Sequence, residues 1–176
     1  MHALHAELLE TLVKPPHSHP EQLLNEVVRR VGEGVHADRC FLWVRQPATR
    51  RSRGAVVWRR DESVPDLTPE QREWIDETLF PPEDPLYAAA LAHWPSVYVN
   101  DVRTAPREVL NRDFEDRYFG HRALIHAHIV GEGELWGILQ PCVFGQPREW
   151  TPEDRALIEP LLPRLVPVVK TFLAAG

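Results

Sequence analysis

Apolar positions recur along the chain in two periods, and the switches between them mark out the elements. Leu4, Leu8 and Leu12 repeat every fourth residue up to Pro15 and Pro16, while Leu23, Leu24, Val27, Val28 and Val31 repeat at threes and fours. Both segments predict helices with one apolar stripe. The second opens at Ser18 or His19 with Pro20 in its first turn, and Gly32 and Gly34 close it. Residues 40–45 and 54–59, rich in Phe, Trp and Val, predict a hairpin across a polar loop. Thr68-Pro-Glu-Gln predicts a capped helix carrying Trp74, Ile75 and Leu79, and Asp84 opens another that Pro95 stops. Residues 96–102 alternate as a strand. Residues 103–120 are mixed and polar, with helical patches from Val109 to Tyr118. Residues 122–130 and 135–140 flank Gly131-Glu-Gly-Glu, a turn whose residues accept positive φ, and predict a second hairpin. Thr151-Pro-Glu-Asp caps a last helix through Ala156, Leu157, Leu161, Leu162 and Leu165.

Strands that follow one another across short turns pair antiparallel, and helices at both ends and in the middle must pack on that sheet. The fold class is therefore α+β. At 176 residues, 43% of them hydrophobic, the chain has material for one core. We divide it into an N-terminal helix and connector over 1–19 and a single domain over 20–176. The formal charge of -6 opposes a nucleic-acid binder held by a positive field. The longest apolar stretch, near 161–169, is broken by Pro163, Arg164 and Pro167, so no membrane span is expected. Cys40 and Cys142 cannot build a disulfide scaffold, and the N-terminus lacks the pattern of a secretory leader, so a cytoplasmic protein with free thiols is expected.

Three motifs in this order carry a resemblance: Ala37-Asp-Arg-Cys-Phe-Leu-Trp in the first strand, Gly133-Glu-Leu-Trp-Gly-Ile-Leu in the late hairpin, and Gln146-Pro-Arg-Glu-Trp-Thr-Pro-Glu-Asp before the last helix. Together with Glu83-Asp-Pro-Leu-Tyr and Val97-Tyr-Val-Asn-Asp-Val they resemble a GAF domain of the phytochrome and cyanobacteriochrome branch, over residues 20–172. The resemblance implies a central antiparallel sheet with the terminal helices on one face and a ligand pocket on the other. Such domains sense bilins, cyclic nucleotides, haem or small metabolites, and often dimerise through their terminal helices. Where bilin-binding members carry a Cys-His pair, this chain has Asn111 and Arg112, neither of which forms a thioether. A covalent bilin is thus argued against, while non-covalent tetrapyrrole binding stays open and the cofactor is unknown. The pocket histidine that follows the Leu-Trp-Gly strand in many phytochromes falls near Cys142 and Val143.

Alternation puts Leu124, His126 and His128 on one face of their strand, and Ala123, Ile125, Ala127 and Ile129 on the other. By the resemblance the histidine face is the ligand side, shared with Phe41, Trp43 and Arg45, and Cys142 at the end of the next strand would converge on it. These seven residues are the pocket candidates. Two histidines and a thiolate suit zinc or copper, but no fourth ligand is identifiable and no metal is assigned. A Cys-His nucleophile lacks an orienting third residue and an oxyanion-hole motif. The cysteine cluster of the GAF branch that reduces methionine sulfoxide is missing too. No catalytic residue is assigned.

Six arginines between Arg45 and Arg60 line the first hairpin, as a solvated face or a dock for an acidic partner. Pro160, Pro163 and Pro167 each lack a donor, and an interior proline costs ~3 kcal/mol, so the last helix must kink or break. A rigid signalling helix is disfavoured. The expectation is a non-catalytic, stand-alone sensor or regulatory module binding a small molecule non-covalently. It would signal through a homodimer of the terminal helices or a protein partner, without nucleic acid or membrane. The alternatives are a degenerate fold serving as an interaction scaffold and, third, a thiol-dependent enzyme. An open cavity with convergent polar groups marks the sensor, a filled pocket the scaffold, and an accessible Cys142 the enzyme.

Overall fold

The computed structural model describes residues 2–176. Helix α1 spans His2–Val13 and α2 Pro20–Gly34; strands β1 (Arg39–Gln46) and β2 (Arg51–Arg59) follow as a hairpin. A short α3 (Pro69–Arg72), a two-residue β3 (Ile75–Asp76) and a 3-10 turn (Glu77–Leu79) lead to α4 (Pro85–Leu91) and β4 (Val97–Val99). Then come α5 (Arg112–Tyr118), the hairpin β5 (Ala123–Gly131) and β6 (Glu134–Val143), α6 (Pro152–Ile158) and α7 (Leu162–Ala175). The six strands form one antiparallel sheet in the order β3-β2-β1-β6-β5-β4, an α+β architecture. No helix among the described residues is long and apolar enough to cross a membrane.

Alternation along the central strands divides the interior into two cores. Cys40, Leu42 and Val44 of β1 and Ala123, Ile125, Ala127 and Ile129 of β5 join the terminal helices, including Leu8 and Leu12 of α1. Phe41, Trp43, Leu124, Ile138 and Cys142 face the other way, under α4, α5 and the segments around them. Two backbone details hold the sheet. Glu132 and Gly133, at φ 55° and 75°, make the tight turn that sets Gly131 opposite Glu134. At Gly137 a Cβ would lie 2.6 Å from the Trp43 carbonyl oxygen, so only glycine lets β6 approach β1 there.

The helix predicted from Thr68 to Leu79 is cut short. Thr68 and Gln71 do form the capping box, but the chain turns extended after Arg72, and Ile75 and Asp76 pair with Ser52 and Arg51 on the open edge of β2. Trp74 packs against Arg53, whose guanidinium lies 5.0 Å from the ring centroid. Edge pairing and the inward pull on Glu77 override the local helical signal. At the C-terminal end the prolines act as expected: the helix breaks between Ile158 and Leu162, Pro163 falls in the first turn of α7, and Pro167 stays inside it. Of the six tryptophans, Trp43 and Trp150 are buried whereas Trp94 is 65% exposed.

Candidate functional site

All seven residues predicted for the ligand side are buried on the sheet or its rim, yet they do not converge. Only Trp43 and His126 line the cavity that forms on this face; its other walls are Phe80, Asp84, Leu86, Tyr87, Phe114, Glu115, Phe119, Ile138 and Gln140. Phe41 and Leu124 pack into the surrounding apolar cluster. Cys142 donates toward the Arg39 carbonyl at 3.5 Å instead of joining the histidine pair. Among the described residues no three His, Cys, Asp or Glu side chains are placed to hold a metal ion.

Arg45 serves the frame and not the cavity. Its Nε and Nη2 donate to Glu77 at 2.5 and 3.0 Å, and its Nη1 to Glu134 and the Leu135 carbonyl at 3.0 and 3.1 Å. Arg50 also donates to Glu77. Burial works against the Glu77 carboxylate, but Arg45 and Arg50 outweigh it and hold it below the usual carboxylate range. The rest of the arginine run likewise finds internal partners: Arg51 donates to the Trp74 carbonyl, Arg53 covers Trp74, Arg59 donates to the Val64 carbonyl, and Arg60 pairs with Asp38 and Asp61.

Around the cavity the hydrogen bonds fix donors and acceptors one after another. His128 Nδ1 lies 2.8 Å from the Trp94 carbonyl, which can only accept, so that nitrogen carries the proton. Burial drives the pKa of His128 down, leaving its Nε2 bare; Nε2 therefore accepts from His126 Nδ1 at 2.9 Å. His126 is held neutral by burial and by its histidine neighbours, and its Nε2 is left as an acceptor. A second relay lies beside it. Arg39, 2% exposed and flanked by the rings of Phe41 and Phe144, donates to His121 Nε2 at 2.7 Å. His121 Nδ1 faces Glu115 Oε1 at 2.5 Å. Burial opposes a charge on His121, the Cys142 sulfur and Glu115 favour one, and the balance moves the ring up to about 9. The guanidinium has no lone pair to offer, however, so Nε2 must accept from Arg39, while Nδ1 and Glu115 Oε1 lie close without an aligned hydrogen bond.

Asp84 caps α4 through one oxygen, which accepts from the Leu86 N–H at 3.1 Å. Burial, with help from Glu115, pushes its pKa up to about 7. Gln140 is 4% exposed and its side chain lines the cavity. The cavity is small, about 20 Å³, room for one water-sized group. Its aromatic walls meet edge to face: Trp43 stands at 82° to Phe80 and 77° to Phe119, with centroids 6.0 and 6.3 Å apart.

Sequence reasoning missed most of these walls. Asp84 shows in the sequence as a helix cap, a role it keeps, and nothing there marks it as a cavity wall. Phe114, Glu115 and Phe119 fall in the 103–120 segment, where periodicity is weak, and His121 lies just beyond it. Gln140 was legible: it shares a face with Ile138 and Cys142, and a glutamine on the inner face of a strand is a signal.

The family model described as the GAF domain matches residues 19–162. No curated protein matches the sequence. Similar solved structures include the GAF domain from an Acinetobacter phosphoenolpyruvate-protein phosphotransferase, with 12% identity over 99% of this chain and 95% of that one and a TM-score of 0.71. The phycoerythrobilin-bound GAF domain from a cyanobacterial phytochrome gives 14% identity over 99% and 97%, with a TM-score of 0.73. Free methionine-R-sulfoxide reductase from Neisseria meningitidis, in complex with its substrate, gives 12% over 98% and 90%, with a TM-score of 0.67. At these identities the likeness shows the fold, shared by GAF domains of a phosphotransferase and a phytochrome and by a reductase. With the family model matched over most of its length and the sheet and helices in the same architecture, the chain belongs to the GAF domain family.

Proposed function

We propose that this GAF domain is a non-catalytic regulatory module whose cavity beneath α4 and α5 binds a small ligand without a covalent bond. The observation that carries the reading is Glu115 Oε1, buried at the cavity wall with no hydrogen-bond partner among the described residues, beside the Gln140 amide. A buried acceptor left unpaired costs ~1–3 kcal/mol, a cost that a ligand's hydrogen bonds would offset. Cys40 and Cys142 are both buried in the sheet, which supports neither thiol chemistry nor a thioether to a bilin. Output passes to a second copy or a protein partner through the face carrying the terminal helices. A fragment library screened by amide NMR tests the pocket: saturable shifts grouped at Trp43, Asp84, His126 and Gln140 are expected.

The interaction scaffold without ligand is the second reading, and one observation favours it: side chains fill the pocket to within about 20 Å³. If no fragment saturates these resonances while the protein still self-associates or captures a partner, the scaffold reading replaces the first.

A further inference from the structure

Resting on the reading of this cavity as a ligand pocket, we infer that its occupant is a protonated organic amine, with its ammonium head among Asp84, Glu115, His126 and Gln140 and against the rings of Trp43, Phe80 and Phe119. The acceptor count points there. Asp84 accepts from the backbone N–H groups of Leu86 and Tyr87, while Glu115 Oε1 is buried without a hydrogen-bond partner although His121 Nδ1 lies 2.5 Å away. The histidine pair leaves His126 Nε2 as a bare acceptor, because the Trp94 carbonyl sets the direction of both bonds. Gln140 adds an amide oxygen. Glu115 Oε1, His126 Nε2 and the Gln140 amide oxygen thus line one water-sized space beside the Asp84 carboxylate, and an ammonium group brings three donors and no acceptor.

Charge and shape agree with the count. Two carboxylates line the cavity and no arginine or lysine does. An anion would meet both carboxylates across the cavity. The nearly perpendicular Trp43, Phe80 and Phe119 rings form a corner of the kind that attracts cations at their faces. The cavity admits the head of such a ligand as it stands, and a longer amine would part Phe119 from Trp43.

The test is a titration of the full chain with methylammonium, acetamide and acetate, following the Gln140 side-chain amide and the Trp43 indole by NMR. Saturable shifts with methylammonium, weakened at least about tenfold in Asp84→Asn and in Gln140→Leu, are expected, with no saturation by acetate. Thermal melts and spectral dispersion of both variants check that they fold. Saturation of the same resonances by acetamide or acetate, but not methylammonium, overturns the amine and leaves the ligand pocket standing. Methylammonium bound equally well by both folded variants overturns the site assignment. If none of the probes saturates, the amine and the pocket reading fall together.

Discussion

Replacing Glu77 by Gln should cost this domain about 3 kcal/mol, because it strands a buried arginine. Arg45 is 7% exposed and Glu77 1%, and two of the arginine's nitrogens end on that one carboxylate. Removing one partner of a buried pair typically costs ~3–5 kcal/mol. The lower end applies because Arg45 keeps Glu134 and the Leu135 carbonyl. In a domain of this length that is a fall of about 6–12 °C in Tm. Two companions separate the pair from mere bulk. Glu134→Gln, on a half-exposed carboxylate, should cost less than about 1 kcal/mol. Arg45→Met with Glu77→Met should recover most of the loss, since an apolar pair of similar volume often replaces a buried ion pair at little cost. The folded pKa of Glu77 is lowered, so its contribution is complete above the unfolded value near 4.5 and is lost as pH falls through the folded one. The gap between wild type and Glu77→Gln should therefore close in acid. Calorimetric melts from pH 7 down to about 3 measure all of this. A Glu77→Gln loss below about 2 °C at pH 7, or a gap that widens in acid, would refute the reasoning.

Three further outcomes follow from other parts of the fold. Asp84 has a raised folded pKa, so the wild type should lose stability as pH climbs from about 4 through 7, while Asp84→Asn, read by the same melts, should lack that slope. Thr151→Ala breaks the capping box with Asp154 and should lower stability by about 1 kcal/mol in urea unfolding. Gly137→Ala drives a Cβ into the Trp43 carbonyl and should cost several times more than an ordinary exposed glycine-to-alanine change, with hydrogen exchange rising in β1 and β6.

The sheet and its two faces were legible because a period of two assigns every side chain of a strand to one side, and this chain keeps that alternation through β1, β5 and β6. The late hairpin was equally plain from Glu132 and Gly133. The segment from Thr68 to Leu79 misled because a true capping box at its start says nothing about where the helix ends, and the edge of β2 decides that. Arg45 and Cys142 were placed on the correct face, yet a face is not a site. Which side chains meet at the cavity depends on loops that bring Phe80, Asp84, Glu115 and Phe119 over the sheet, and on long-range pairs such as Arg45–Glu77 that carry no local pattern.

The most direct measurement of the central claim is native mass spectrometry of the protein and its Gln140→Leu variant, both purified without denaturation from the host that makes the protein. The account predicts an extra small mass on the wild type that the variant loses while keeping its fold. Wild-type protein that carries no extra mass, or a variant that retains the same mass, would contradict it.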